Sequence, residues 1–129
     1  MNEQKTLFEL IGGIDRIREL VDRFYDLMDL NVEYTELRNM HPVDLSNSRE
    51  KLFLFLSGWM GGPDLYSPKH GHPMLRARHL SFPIGDLARN QWTDCMFRAM
   101  EDVGIINPLK DQLKASFIHT ANWMKNLPA

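Results

Sequence analysis

One cysteine, Cys95, is all that the 129 residues hold, so an intrachain disulfide and a multi-cysteine metal site are both excluded. Taken alone, Cys95 reads as a small apolar side chain on a helix. Eight glycines and seven prolines are too few for a disordered or low-complexity chain. No apolar stretch approaches the roughly 20 residues that cross a bilayer. The opening residues, Met1 to Glu9, lack the basic start and apolar run of a signal peptide. A soluble cytoplasmic protein is the expectation. Charge of one sign is missing as well: 15 basic against 17 acidic residues leave a formal net charge of -2. With both signs interspersed, neither nucleic acid nor an anionic membrane surface is an expected partner. The His-Glu-x-x-His spacing of zinc proteases does not occur.

What the sequence does contain is one core's worth of apolar residues in helical spacing. With 43% hydrophobic and 25% charged residues, a single domain over residues 1–129 is expected. Thr6 to Ile11 forms a short apolar turn that stops at Gly12-Gly13. Ile14, Ile17, Val21, Phe24 and Met28 then recur at three and four, the stripe of an amphipathic helix. Asn31 can cap a shorter piece over Val32 to Arg38, and Pro42 places His41 at a corner. Asn47 and Ser48 can begin a helix with Leu52, Phe55, Leu56 and Trp59 on one face, which Gly61-Gly62-Pro63 ends. Residues 52–56 alone would also pass for a strand; the longer helical period outweighs that reading. Asp64 to His72 reads as a polar loop, and Pro73 suits the first position of a short helix to about Leu80. Two longer helices are expected at Gly85 to Val103 and Pro108 to Leu127, the second with Leu113, Phe117, Ala121 and Met124 on one face.

Four of the five histidines, His41, His70, His72 and His79, fall between residues 41 and 79, without the spacing of a multi-histidine metal cage. A single imidazole can still hold iron if a macrocycle supplies the in-plane ligands and the fold supplies an apolar slot. Spacing does not select among the four. His79 is equally a helix-end histidine bonding the last carbonyls, Tyr25 a tyrosine packed beside Phe24, and Trp92 core filling.

An ordered set of motifs narrows these alternatives. Leu10-Ile11-Gly12-Gly13, Arg23-Phe24-Tyr25, Trp59-Met60-Gly61-Gly62-Pro63, Tyr66, Gly71-His72-Pro73, Leu75-Arg76-Ala77-Arg78-His79 and Gln91-Trp92-Thr93-Asp94-Cys95-Met96 follow one another along the chain. In that order and spacing the chain resembles a group II, O-type truncated haemoglobin from end to end. The resemblance implies an all-α fold, a two-over-two helical sandwich around one haem b per chain, with the glycine pairs permitting the compressed turns.

The same resemblance implies the site residues. His79 is the proximal iron ligand, its other ring nitrogen held by a second-shell acceptor. Tyr25, His41 and Trp92 lie on the distal side, where polar groups stabilise the anionic character of a bound diatomic ligand. Ser48 falls where most globins carry a distal histidine and leaves a gap for ligand entry. His41 departs from the tyrosine or phenylalanine of commoner members; its imidazole can donate, titrate or become a sixth ligand to iron. Leu52, Phe55, Leu56, Trp59, Met74 and Leu80 are the expected apolar walls, residues that any helical core would also use. Arg78, and after it Lys51, Tyr66 and Arg76, suit the haem propionates. Arg76 and Arg78 are two apart on a helix and do not face one propionate together. His72 contacts the haem edge or simply caps its helix.

The ligands implied are dioxygen, nitric oxide, carbon monoxide or peroxide. Three polar distal groups favour slow oxygen release and redox chemistry such as nitric oxide or peroxide detoxification, with electrons from an unidentified reductase. An oxygen carrier, store or sensor without turnover is the alternative, and a haem-free helical regulatory domain the third.

Overall fold

Thr6 opens the first helix by a reciprocal cap. Its hydroxyl accepts from the Glu9 amide and the Glu9 carboxylate accepts from the Thr6 amide, both at 3.1 Å, which satisfies two orphan donors at once. The structure, a computed structural model, describes residues 5–80 and 82–127. Helix α1, Leu7–Ile11, stops at Gly12, whose φ of 107° is a left-handed conformation glycine adopts without steric cost. Helix α2, Ile14–Leu30, follows directly.

Ile17, Leu20, Val21, Phe24 and Met28 of α2 are buried, while Ile14 at its first turn is 37% exposed and stands outside the expected stripe. The piece expected over residues 32–38 is divided into a 3₁₀ turn at Val32–Tyr34 and helix α3 at Thr35–Asn39. At the division Tyr34 leaves helical geometry and carries its ring into the core. There its hydroxyl donates to Asp94 Oδ2 at 2.7 Å.

Helix α4, Ser46–Trp59, is apolar on two faces. Phe53, Leu54 and Leu56 are buried in the main core, whereas Leu52, Phe55 and Trp59 are only partly covered. A helix apolar nearly all round must be buried on more than one side, and here the second side is a cavity. Buried Ser57 donates to Pro63 O at 2.7 Å and accepts from Gly62 N through its backbone carbonyl at 2.8 Å, fixing the turn that ends α4.

That turn is where α1 crosses. The Phe8 amide donates to Met60 O at 2.8 Å, and a Cβ on Gly62 would lie 2.2 Å from the Phe8 ring. Gly62→Ala forces the ring out of place, so thermal or urea unfolding should show a loss of about 1–3 kcal/mol, the usual cost of overpacking. An unchanged midpoint would mean that α1 is not seated there.

The segment 64–72, expected as loop, contains one helical turn, α5 at Ser67–His70. The Asp64 carboxylate accepts from the Ser67 amide at 3.0 Å and Pro68 occupies the first turn, signals present in the sequence but too short to register as periodicity. Helix α6 spans Leu75–His79 and does not start at Pro73, because Met74 takes a left-handed φ of 44°. Helices α7, Asp86–Asp102, and α8, Leu109–Met124, lie within a few residues of their expected limits.

Helix α2 packs against α4 and α7, and α7 against α8; the Trp59 and Phe117 rings stack at 4.7 Å between α4 and α8. Two helix pairs thus form the two layers of an all-α sandwich. Among the described residues none is in a strand, and no helix is long and apolar enough to cross a membrane. Cys95 is fully buried in this core, its thiol donating to Phe24 O at 3.3 Å and pushed up to about 12 by burial.

Candidate functional site

The second apolar face of α4 needs something to cover it. It forms one wall of a cavity of about 580 Å³, closed by side chains of α2, α6, α7 and α8 and by the corner after α3. The volume falls within the roughly 300–1,000 Å³ of cofactor pockets. Leu52, Phe55, Leu56 and Trp59 line it from α4, and Phe117, Ala121 and Met124 from α8, three residues whose spacing had marked them only as a core face.

Tyr25 of α2, His41 at the corner and Trp92 of α7 all reach this cavity, together with Ser48 at the start of α4. Tyr25 meets His41 edge-on at 5.8 Å, and Phe24 joins Tyr25 at 5.0 Å to Trp92 at 5.4 Å. The three polar residues therefore form one connected group. Among the described residues, neither the Tyr25 hydroxyl nor the Trp92 indole N–H has a hydrogen-bond partner, so both remain available as donors. Burial raises the Tyr25 hydroxyl well above its usual range, against the opposing pull of Arg49; it stays protonated through neutral pH.

His41 is held differently from expectation. Its Nδ1 lies 2.9 Å from Leu37 O, and a carbonyl only accepts, so Nδ1 carries the proton. The neutral ring then offers a lone pair at Nε2, and it is an acceptor or ligand there, not a donor. Burial lowers its pKa below the usual histidine value, the Leu37 bond opposing and the Arg38 and His79 charges adding to the shift. The corner itself is built by Arg38, which donates to Pro42 O and Val43 O, both at 2.9 Å, and by Gln91, whose side-chain oxygen accepts from Leu37 N at 2.9 Å. Neither support is legible in the sequence: Gln91 reaches Leu37 from across the fold, and the Arg38 bonds, though only four and five residues along, follow no periodic pattern.

A depressed pKa means that the unfolded chain takes up the His41 proton first as pH falls. Stability contributed by the neutral ring is present above about pH 6.5, the ordinary histidine value, and declines as pH drops below it. Urea midpoints of wild type and His41→Phe compared across pH 7 to 5 should therefore diverge in favour of the variant. Parallel curves would show that His41 is not buried neutral.

His79 stands apart from that group, on the last turn of α6 and 6.2 Å from the Phe82 ring. Its Nδ1 lies 2.7 Å from Leu75 O, which fixes the proton on Nδ1 and leaves the lone pair on Nε2, the arrangement of a metal-binding imidazole. Among the described residues no group of three or more His, Cys, Asp or Glu could hold a metal ion. A metal at His79 must then bring its other ligands with it, and a haem brings four in its ring. The cavity fits such a group: apolar walls, the imidazoles of His79 and His41, and cations among its lining.

Of those cations, Arg78 and Lys51 line the cavity. Arg78 Nη2 donates to His70 O at 2.8 Å and His72 O at 3.1 Å, and its guanidinium lies 5.7 Å over the Tyr66 ring. Neither cation is ion-paired among the described residues, so each can meet a carboxylate. The structure places four expected residues outside the cavity. Met74 is 62% and Leu80 54% exposed: Met74 sits in the left-handed turn just before α6, and Leu80 lies beyond its end. His72 contributes only its carbonyl to Arg78, and Arg76 is exposed on the far side of α6.

Residues 6–126 match the family model described as bacterial-like globin. The chain is 39% identical over 119 residues to the group 2 truncated hemoglobin YjbI of Bacillus subtilis, covering 92% of this chain and 87% of that protein. The fold is similar to the cold-adapted truncated hemoglobin of Pseudoalteromonas haloplanktis TAC125, with a TM-score of 0.91, 44% identity, and coverage of 96% of this chain and 100% of that one. It is also similar to the truncated oxygen-avid haemoglobin of Bacillus subtilis, with a TM-score of 0.87, 38% identity, and coverage of 95% and 100%.

Proposed function

The chain belongs to the bacterial-like globins, as a group II truncated haemoglobin, and from that premise we propose that it is a redox haem protein built to retain its ligand. As a globin it binds haem and, through it, oxygen or another small ligand. The finer reading is that one haem b per chain is held by His79, with Arg78 and Lys51 at the propionates. When bound, the haem supplies an iron that takes a diatomic or peroxide ligand and exchanges electrons with it.

The observation that carries the reading is the division of labour in one cavity. His79 has its Nδ1 proton committed to Leu75 and presents a lone pair. Tyr25 and Trp92, joined through Phe24, bring donors with no protein partner. Such donors favour a ligand that accumulates negative charge, and low local polarity strengthens them. His41 adds a neutral Nε2 that can accept from the Tyr25 hydroxyl or bind iron when no other ligand is present. Tight retention suits nitric oxide or peroxide removal better than delivery, and the oxygen-avid relative supports that direction. Electrons come from a separate reductase, and the setting is the cytoplasm.

Two measurements on the haem-loaded protein test this. Oxygen release from the ferrous form should be slow, and nitric oxide or peroxide should disappear faster in its presence, with turnover sustained by an added reductant. Fast oxygen release with no acceleration of either loss would favour a carrier or store instead.

A further inference from the structure

Helix α6 is five residues long, far below the length at which a helix holds itself together in water. Its last residue is His79, and helix ends leave carbonyls without intrahelical partners. The His79 carbonyl accepts locally from the Phe82 amide at 3.0 Å, and a second tie reaches it from 47 residues along the chain. Asn126, just past α8, donates from Nδ2 to His79 O at 3.3 Å and to Phe82 O at 2.9 Å. Its Oδ1 accepts from Ile84 N at 3.0 Å. The backbone amides of Asn126 and Leu127 both donate to Ile84 O, at 2.9 and 3.0 Å. One carboxamide thus joins three points of the segment that leaves α6, using two donors and one acceptor.

We propose that Asn126 is a positioning residue for His79, an inference that rests on the reading of His79 as the iron ligand. The carbonyl that Asn126 grips belongs to His79 itself, at the end of the turn whose Leu75 carbonyl orients the imidazole. Tying that carbonyl and the following segment to the end of α8 fixes how far the ring can tilt or slide. Only a carboxamide supplies this set, and glutamine would carry it one methylene further out; aspartate would place a charged oxygen against two carbonyls, and alanine would remove all three side-chain bonds. Neighbouring ties at this end of α8 differ in kind. Lys125 Nζ lies 2.6 Å from Asp86 Oδ1 and touches neither carbonyl.

The test compares haem-loaded wild type with Asn126→Ala, Asn126→Asp and Lys125→Met. The iron–histidine stretching band in resonance Raman spectra of the ferrous, unligated protein reports ring geometry directly. Haem transfer to excess apomyoglobin reports retention. In the two Asn126 variants the band should shift or broaden and haem loss should speed up by about 10–100-fold, the usual range when the support of a metal ligand is removed. Lys125→Met should leave the band in place even if it lowers the melting temperature. Should Asn126→Asp fail to fold, Asn126→Ala decides. A normal wild-type band that stays unmoved in the Asn126 variants, with haem transfer at the wild-type rate, overturns the role of Asn126 alone. A wild-type protein with no iron–histidine band overturns the assignment of His79 and the inference with it.

Discussion

His79→Gly should give a folded protein that has lost its hold on haem and regains it when imidazole is added to the solution. The side chain removed is only partly buried and makes one hydrogen bond, to Leu75 O at 2.7 Å, so the core of α2, α7 and α8 does not depend on it. What disappears is the ligand proposed for the iron, and among the described residues no cluster of three or more ligating side chains exists to replace it. Losing a residue that merely supports a ligand costs about 10–100-fold in affinity, so losing the ligand itself should exceed the upper figure. Imidazole fits the space vacated and can take up the bond to Leu75 O. Haemin titration followed by the Soret band measures both steps. A variant with wild-type affinity and an unchanged spectrum would move the iron ligand elsewhere, with His41 the next residue to examine.

Tyr25→Phe is expected to speed oxygen release by about tenfold to a hundredfold. The hydroxyl is the only atom removed, the ring stays in its edge-on contacts with Phe24 and His41, and packing should hardly change. The hydroxyl has no protein partner among the described residues and stays protonated because burial raises its pKa. In the loaded protein its proton can therefore go to the ligand. A hydrogen bond to a charged group is worth roughly 1.5–3 kcal/mol, which converts to that range of rates at about 1.4 kcal/mol per factor of ten. Stopped-flow displacement of oxygen by carbon monoxide gives the number directly. A rate equal to wild type would show that Trp92 alone holds the ligand, and the Trp92→Phe variant should then carry the whole effect.

The structure narrows what His41 can do. From sequence the imidazole could donate, titrate or coordinate. Its bond to Leu37 O removes the first choice for the neutral ring, and that bond depends on α3 ending where it does. A helix that short is set by what holds its end, here Gln91 of α7 on the Leu37 amide and its own Arg38 on the Pro42 carbonyl, and no periodic pattern announces either.

Much of the architecture was legible in the residues because it depends on neighbours in sequence. Helical spacing marked α2, α4, α7 and α8, and the glycine pairs and prolines marked where they stop. The ordered motifs, and not any single residue, pointed to His79. Local patterns fail where a helix is too short to repeat, which is why the sequence alone reads α5 as loop and starts α6 at Pro73, ahead of the left-handed turn at Met74.

Other features were decided only by tertiary structure. Residues 52–56 are apolar without interruption, and nothing in that run tells which side chains meet the core and which meet the cavity; the packing of α4 on α2 makes that choice. The grip of Asn126 on the carbonyl of His79 joins residues 47 positions apart. The sequence by itself determined that there would be helices and one core, and its ordered motifs, through the family resemblance, pointed to His79 and His41 as the histidines facing a cofactor. The orientation of His79, the proton on His41 and the free donors of Tyr25 and Trp92 come from long-range hydrogen bonds and burial, which exist only once the chain has closed on itself.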